Sequence, residues 1–431
     1  MIHLLTMGCA KNSVDSEKLL GVLRAQGLEI VEDIESADTV IVNTCGFIQP
    51  AVEENIDVIL DLERMKELGR LERICVVGCL VNRYGDELKR ELPTVDLWAD
   101  SEEWGTVASF FGTPPATWSR MRAPGSSPWS RYLKVGEGCD SFCSFCTIPS
   151  IRGRARSTPI RELLGEALSL VNEGAREICL VGQDLTVYGT DLYGSPRLLE
   201  LLDSLDNALP RDVRVRLLYL NPSGVDETLI EYVAGSERVL SYLDIPVQHI
   251  DDEILARMNR PDGEARIRRL FSFARGTDPL FALRTTVMVG FPGETERQFE
   301  KLLDFLREYE IDRVGSFPFS PEEGTPASLM AGQLEERVKT SRYNRLLEVQ
   351  AEISRERQQK FIEKKLVVLV EEATPEDSMA WGRSYREAPE VDGLVGIYDG
   401  GSLEEGAFVE VLVTDVEEHD LFAQIPGTQG F

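Results

Sequence analysis

The sequence predicts an α/β fold in three parts. Three observations carry that reading. Short apolar runs alternate with helical patterns on both sides of a Pro/Gly/Ser-rich stretch. After that stretch the alternation continues through six β/α units. The last 66 of the 431 residues are β-type runs cut by turns. At roughly 100–200 residues per domain this length suggests several domains, each able to bury a core without staples.

Taken in order, residues 2–6, 39–42 and 74–77 read as strands, and 13–26, 51–68 and 82–92 as helices. Their βαβ order implies a parallel sheet, an N-terminal parallel α/β domain over 1–112. Gly112-Thr113-Pro114-Pro115-Ala116 through Ala123-Pro124-Gly125-Ser126-Ser127-Pro128 then reads as a linker, 113–128. Strands are expected at 132–135, 177–181, 213–219, 239–245, 281–289 and 313–317. Helical patterns separate them at 160–172, 196–205, 226–233, 252–258 with 264–274, and 296–309. Six β/α units fit an incomplete TIM-like (β/α)6 barrel or a doubly wound open sheet. A polar helix at about 334–363 closes this central part, 129–362. Residues 363–431 hold runs such as Leu366-Val367-Val368-Leu369-Val370 and Ala407-Phe408-Val409-Glu410-Val411, separated by turns such as Asp399-Gly400-Gly401-Ser402. They suggest a small antiparallel β-barrel or sandwich.

Composition excludes several classes. With 42% hydrophobic and 28% charged residues the chain is not globally disordered. No window approaches 18 uncharged apolar residues, so no membrane span is expected. The N-terminus lacks a basic region and a long apolar core, so no signal peptide is expected and the location reads as cytoplasmic. Three histidines leave little room for a multi-His metal site. A net charge of −28 argues against a protein that coats nucleic acid and favours a basic partner. The charge is uneven: −9 over residues 1–128, −6 over 129–365 and −13 over 366–431, whose only basic residues are Arg383 and Arg386.

The cysteines carry the chemistry. In a long chain without a signal peptide, a disulfide framework is a poor reading of eight cysteines. Cys139, Cys143 and Cys146 form a C-x3-C-x2-C loop just after the first strand of the central part. Thiolates suit iron–sulfur clusters, and three of them leave one iron of a four-iron cluster open. Zinc would want a fourth Cys or His, and the nearest histidine in sequence, His249, is far along the chain. Cys9, Cys45 and Cys79 each follow the end of an N-terminal strand and precede a helix. In a parallel sheet those ends share one edge, so the three thiols can converge as a second site. Their alternative reading is unconnected buried cysteines, which is the reading given to Cys75 and Cys179 inside apolar strands.

The C-x3-C-x2-C loop after the first strand of a β/α barrel resembles the radical S-adenosylmethionine superfamily. With both triplets and the run Cys139–Gly153, the whole chain resembles the methylthiotransferase family. That resemblance implies an N-terminal domain with one 4Fe-4S cluster, a radical S-adenosylmethionine barrel with another, and a C-terminal TRAM barrel. Asp244-Ile245-Pro246-Val247-Gln248-His249, Gly182-Gln183-Asp184 and Phe319-Ser320-Pro321-Glu322-Glu323-Gly324 look like the RimO branch. Members of that branch add a methylthio group to the β-carbon of an aspartate in small-subunit ribosomal protein S-twelve. The rivals are a tRNA adenosine methylthiotransferase of the MiaB-like branch and, outside enzymes, a two-cluster electron-transfer protein.

The resemblance implies roles. Cys139, Cys143 and Cys146 would hold the cluster that binds and cleaves S-adenosylmethionine, and Cys9, Cys45 and Cys79 the cluster that presents sulfur. Gly182, Gln183 and Asp184 would meet the cofactor's amino group and Gln248 its ribose. Phe145 and the backbone at Gly290 would meet its adenine. For His249 a structural or substrate-positioning role is favoured over a catalytic one. A low-potential donor such as flavodoxin or ferredoxin would supply electrons. The acidic last segment disfavours tRNA and favours a basic ribosomal protein.

Overall fold

In the computed structural model the chain opens with β1 (Ile2–Thr6), α1 (Ala10–Ala25), β2 (Thr39–Thr44), α2 (Gln49–Glu67), β3 (Arg73–Gly78), α3 (Cys79–Glu91), β4 (Leu97–Ala99) and α4 (Trp104–Phe111). The structure describes residues 1–113, 122–123, 125 and 127–427, so most of the expected linker lies outside the described residues. The four strands are all parallel, in the order β1-β2-β3-β4. Such a sheet must be covered on both faces, and every residue of β2 is buried. Val40, Val42, Ile74 and Val76 pack against α2 and α3, while Ile41, Cys75 and Val77 pack against α1 and α4. The alternation of side chains along each strand produces this division.

The central part follows as β5 (Ser130–Lys134), β6 (Gly136–Glu137), α5 (Ile148–Arg152), β7 (Arg156–Ser157), α6 (Ile160–Asn172), β8 (Glu177–Val181), α7 (Thr190–Tyr193), α8 (Leu198–Ala208) and β9 (Arg214–Leu217). It continues with α9 (Glu227–Gly235), β10 (Tyr242–Asp244), α10 (Asp252–Arg257), α11 (Glu264–Thr277), β11 (Ala282–Val289), α12 (Glu296–Glu308) and β12 (Arg313–Pro318). Parallel β5-β8-β9 and β10-β11-β12 are joined by a parallel bridge from Val215 to Val239. Sequential order without a reversal is that of an incomplete barrel, not of a doubly wound sheet. Strand β9 ends earlier than the apolar run suggests because Tyr219 takes a left-handed φ of 65°.

Alternation again sorts the residues. Leu133, Leu180, Leu217, Leu243 and Leu283 pack outward under the helices. Tyr132, Cys179, Val181, Tyr242 and Ala282 pack instead with Ala10 and Val14 of α1 and with Ala388. The interior of the open barrel is thus filled by the parts of the chain before and after it.

Helix α13 (Glu336–Gln359) leads to β13 (Lys365–Thr374), β14 (Met379–Arg383), β15 (Val395–Tyr398), β16 (Phe408–Val416) and β17 (Leu421–Gln424), a closed barrel ordered β13-β14-β15-β17-β16. Four of its pairings are antiparallel; β15 with β17 is parallel, which the turn pattern did not reveal. Its two arginines are buried against the central barrel, while Lys365 at the start of β13 stays exposed and pairs with Glu410 at 2.7 Å. Arg383 Nη1 lies 3.0 Å from Glu177 Oε1, which also accepts from Arg216 Nε at 2.8 Å. Arg386 donates to Gln358 Oε1 at 2.6 Å and approaches Asp312 at 3.4 Å. Glu177 begins β8 and Asp312 precedes β12, so the small barrel docks at the N-terminal ends of the central strands.

Removing one partner of a buried ion pair leaves an uncompensated charge. Arg383→Ala is expected to lower stability by about 3–5 kcal/mol in chemical denaturation. An unchanged midpoint would show that Arg216 alone satisfies Glu177.

Candidate functional site

Cys9 sits at the N-cap of α1, Cys45 directly follows β2, and Cys79 is the first residue of α3. The helix reaches back to Cys79, three residues before the expected start, because Gly78 turns the chain with φ +101°. Gly8 has the same φ, and a Cβ there would lie 2.9 Å from Cys45 Cβ. Only glycine allows the cysteine loops to approach so closely. Asn12, three residues after Cys9 and so on the same side of α1, is fully buried and ties the loops together. Its Nδ2 donates to the Met7 carbonyl at 2.8 Å and the Thr44 carbonyl at 3.0 Å.

The second triplet is pinned from the barrel. Cys139 N–H donates to the Gly153 carbonyl at 3.1 Å and Cys146 N–H to the Cys143 carbonyl at 3.0 Å. Ser144 donates from N–H to the Met258 carbonyl at 2.9 Å and from its hydroxyl to the Arg257 carbonyl at 2.8 Å.

All six cysteines line a single cavity of about 380 Å³. Phe145, Gln183, Asp184 and Gln248 line it too, as do Lys11, Asn12, Arg152, Tyr219, Asn221 and Arg260. Gly182 is adjacent, its carbonyl 3.5 Å from Lys11 Nζ. Gln183 Nε2 donates to Glu137 Oε1 at 2.6 Å, and its Oε1 is buried without a partner. Asp184 Oδ1 is already engaged by the Thr186 N–H at 2.9 Å and hydroxyl at 2.6 Å. Gln248 has a left-handed φ of 68° and a buried, unpartnered Oε1, the kind of stored strain found at ligand sites. Gly290 is not brought to the cavity. A Cβ there would meet Lys339 Cγ at 2.3 Å, so its missing side chain makes room for α13. His249 is also off the lining: it is fully buried, its Nδ1 accepts from Asp251 N–H at 3.0 Å, and burial pushes its pKa down to about 3. Cys75 and Cys179 are buried within β3 and β8.

Residues 1–100 match the uncharacterized protein family UPF0004, residues 133–306 the radical SAM superfamily and residues 362–425 the TRAM domain. A relative from Geobacter sulfurreducens named ribosomal protein uS12 methylthiotransferase RimO is 43% identical over 98% of both chains. Another of that name, from Aquifex aeolicus, is 42% identical over 97% of this chain and 96% of its own. The chain belongs to the ribosomal protein uS12 methylthiotransferase family. The fold also resembles that of the radical S-adenosylmethionine methyltransferase TsrM from Kitasatospora setae, with a TM-score of 0.54 and 15% identity over 76% of this chain and 77% of that one.

As a radical SAM member of this methylthiotransferase family, the chain takes S-adenosylmethionine and an iron–sulfur cluster. Its donor set fits. Among the described residues no three ligand-type side chains close on one metal ion. Each triplet instead offers three soft thiolates on the one cavity, the donor set that a four-iron cluster takes, one cysteine to each of three irons. Burial pushes the Cys79 thiol up to about 11, against the pull of Arg152, and Cys146 up to about 12. Ligation by iron would therefore release protons.

Arg152, six residues past Cys146, joins the two halves of the site. Its Nε lies 3.0 Å from Cys79 Sγ and its Nη2 2.7 Å from Asn12 Oδ1. Its Nη1 reaches Asp15 of α1 at 3.0 Å and Glu137 at 3.1 Å. Lys134 bonds the same two carboxylates. Burial raises the Glu137 pKa, but Lys134 and Arg152 outweigh it and hold the group down at about 2. The sequence reading missed Lys11, Asn12, Arg152 and Arg260 as site residues. Only spacing from Cys9 or Cys146 could have pointed to the first three.

Arg152→Met would strand Asp15 and Glu137 with one cation between them. It is expected to cost about 3–5 kcal/mol in denaturant unfolding, with Arg152→Lys recovering part of the loss. Equal stability of Arg152→Met and the parent protein would refute the coupling.

Proposed function

We propose that this chain methylthiolates the β-carbon of an aspartate in small-subunit ribosomal protein uS12, using two 4Fe-4S clusters and S-adenosylmethionine. The observation that carries the reading is that both cysteine triplets open on one cavity. When bound, the clusters and cofactor supply hydrogen abstraction from an unactivated carbon and the sulfur that replaces it, chemistry beyond any protein side chain. The chain's own residues do the rest. Cys139, Cys143 and Cys146 hold one cluster, and Cys9, Cys45 and Cys79 hold the other. Gln183 and Gln248 offer buried acceptors with no protein partner toward the cofactor, and Phe145 offers an apolar face. Arg260, 3.8 Å from Cys143 Sγ, lies at the cofactor end. Domain roles divide accordingly: sulfur delivery on the N-terminal sheet, cofactor cleavage in the central barrel, and partner contact on the small barrel.

The charge supports a protein substrate. With Arg383 and Arg386 buried, the small barrel leaves Glu372, Glu376, Glu390, Asp399, Glu404, Glu405, Asp415 and Glu417 exposed, against the exposed Lys365, which pairs with Glu410. A surface so rich in carboxylates repels phosphates and steers a basic ribosomal protein. The relatives' names support the same choice over tRNA. A ribosomal substrate fits a cytoplasmic enzyme, and reductive cleavage of the cofactor calls for a low-potential donor such as flavodoxin or ferredoxin; among the described residues no helix is long and apolar enough to cross a membrane.

Anaerobic turnover followed by mass spectrometry tests this. A methylthio group is expected on uS12; its appearance on tRNA alone would overturn the assignment. Cys143→Ala is expected to abolish cofactor cleavage, while Cys45→Ala keeps some cleavage and loses sulfur insertion. Equal loss of cleavage in both would refute the division of roles.

A further inference from the structure

Three cations line the cavity: Lys11, Arg152 and Arg260. Two are committed. Arg152 is saturated by Asp15, Glu137, Asn12 and Cys79. Arg260 leaves its buried Nε without a partner, but its Nη2 donates to the Pro246 carbonyl at 2.8 Å and to Asn221 Oδ1 at 3.4 Å, and its Nη1 backs Cys143. Lys11 is different. Its ammonium has three donors, yet it makes one long contact, 3.5 Å to the Gly182 carbonyl, and otherwise lies 3.7 Å from the centroid of the Tyr219 ring.

Among the described residues Lys11 has no carboxylate partner. The nearby Glu137 is already engaged by Lys134, Arg152 and Gln183. The Lys11 ammonium therefore keeps donors to spare for an anionic ligand that enters the cavity. The platform beneath it is itself strained, since Tyr219 holds φ 65°. Lys11 stands two residues from Cys9 on the N-terminal part, while the carbonyl it touches belongs to the barrel. It therefore spans the gap in which a substrate carbon must meet both triplets.

We propose that Lys11 is a specificity-determining residue that binds the side-chain carboxylate of the substrate aspartate and so fixes its β-carbon between the two triplets. The inference rests on the uS12 aspartate reading above. It assigns the reacting side chain's negative charge to one cation and separates that cation from Arg260 at the cofactor end. An acid in the substrate is then recognised by charge, and its amide counterpart is rejected because it leaves the ammonium without an anion.

The test uses full-length enzyme with its clusters and two forms of uS12, one with the modified aspartate and one with asparagine in its place. Binding is read by fluorescence anisotropy of labelled uS12. The parent enzyme is expected to bind the aspartate form about 10- to 100-fold more tightly, the range of one charge-assisted hydrogen bond. Lys11→Met is expected to reduce that preference to within about twofold, while Lys11→Arg keeps most of it. An undiminished preference in Lys11→Met would overturn the proposal. So would a parent enzyme that methylthiolates uS12 but binds both forms alike, a result that stands even if Lys11→Met fails to load its clusters. A parent enzyme that leaves uS12 unmodified would instead refute the functional reading itself.

Discussion

Arg152 is the side chain on which the arrangement of the site depends. One guanidinium reaches Cys79, the asparagine that ties the cysteine loops, and a carboxylate on each side of the seam. With Lys134 it makes a buried set of two cations and two carboxylates, Asp15 and Glu137. Such a set adds little to stability over an apolar core of the same shape, because desolvation offsets the attraction. Its effect is geometric. Each member strands another if it moves, so the seam has one low-energy arrangement, and in that arrangement both cysteine triplets face one cavity.

The open barrel explains why three parts are needed. Six parallel strands leave an interior that their own side chains do not fill. Helix α1 enters from the N-terminal part and the segment around Ala388 from the C-terminal part. The same helix that fills the interior begins at Cys9 and carries Lys11, Asn12 and Asp15. Packing and chemistry are thus set by one rigid element, which is how a site acquires the small tolerances that radical chemistry demands. At the other end, burial of Arg383 and Arg386 attaches the small barrel and leaves its surface mainly acidic.

Much of this was readable from the residues. The α/β alternation, the six β/α units and the closing β segment follow from periodicity, and the cysteine positions at strand ends follow from the topology of parallel sheets. What escaped the reading has physical causes. Strand β4 is three residues at a sheet edge, too short for a pattern. The parallel pairing of β15 with β17 depends on contacts distant in sequence. Gly290 looked like a place of close approach to a ligand, yet the space is taken by Lys339, and a glycine does not announce what it makes room for. Lys11 and Asn12 become meaningful only once α1 is docked, since their partners Gly182, Tyr219 and Arg152 lie well over a hundred residues away.

The two clusters proposed for the triplets would share one chamber. Electron paramagnetic resonance of the reconstituted, doubly reduced protein tests this most directly. Spin–spin interaction between the clusters is expected, and it should vanish in Cys45→Ala and in Cys143→Ala, each leaving the signal of one isolated cluster. A parent spectrum equal to the sum of the two single-cluster spectra would contradict the shared chamber.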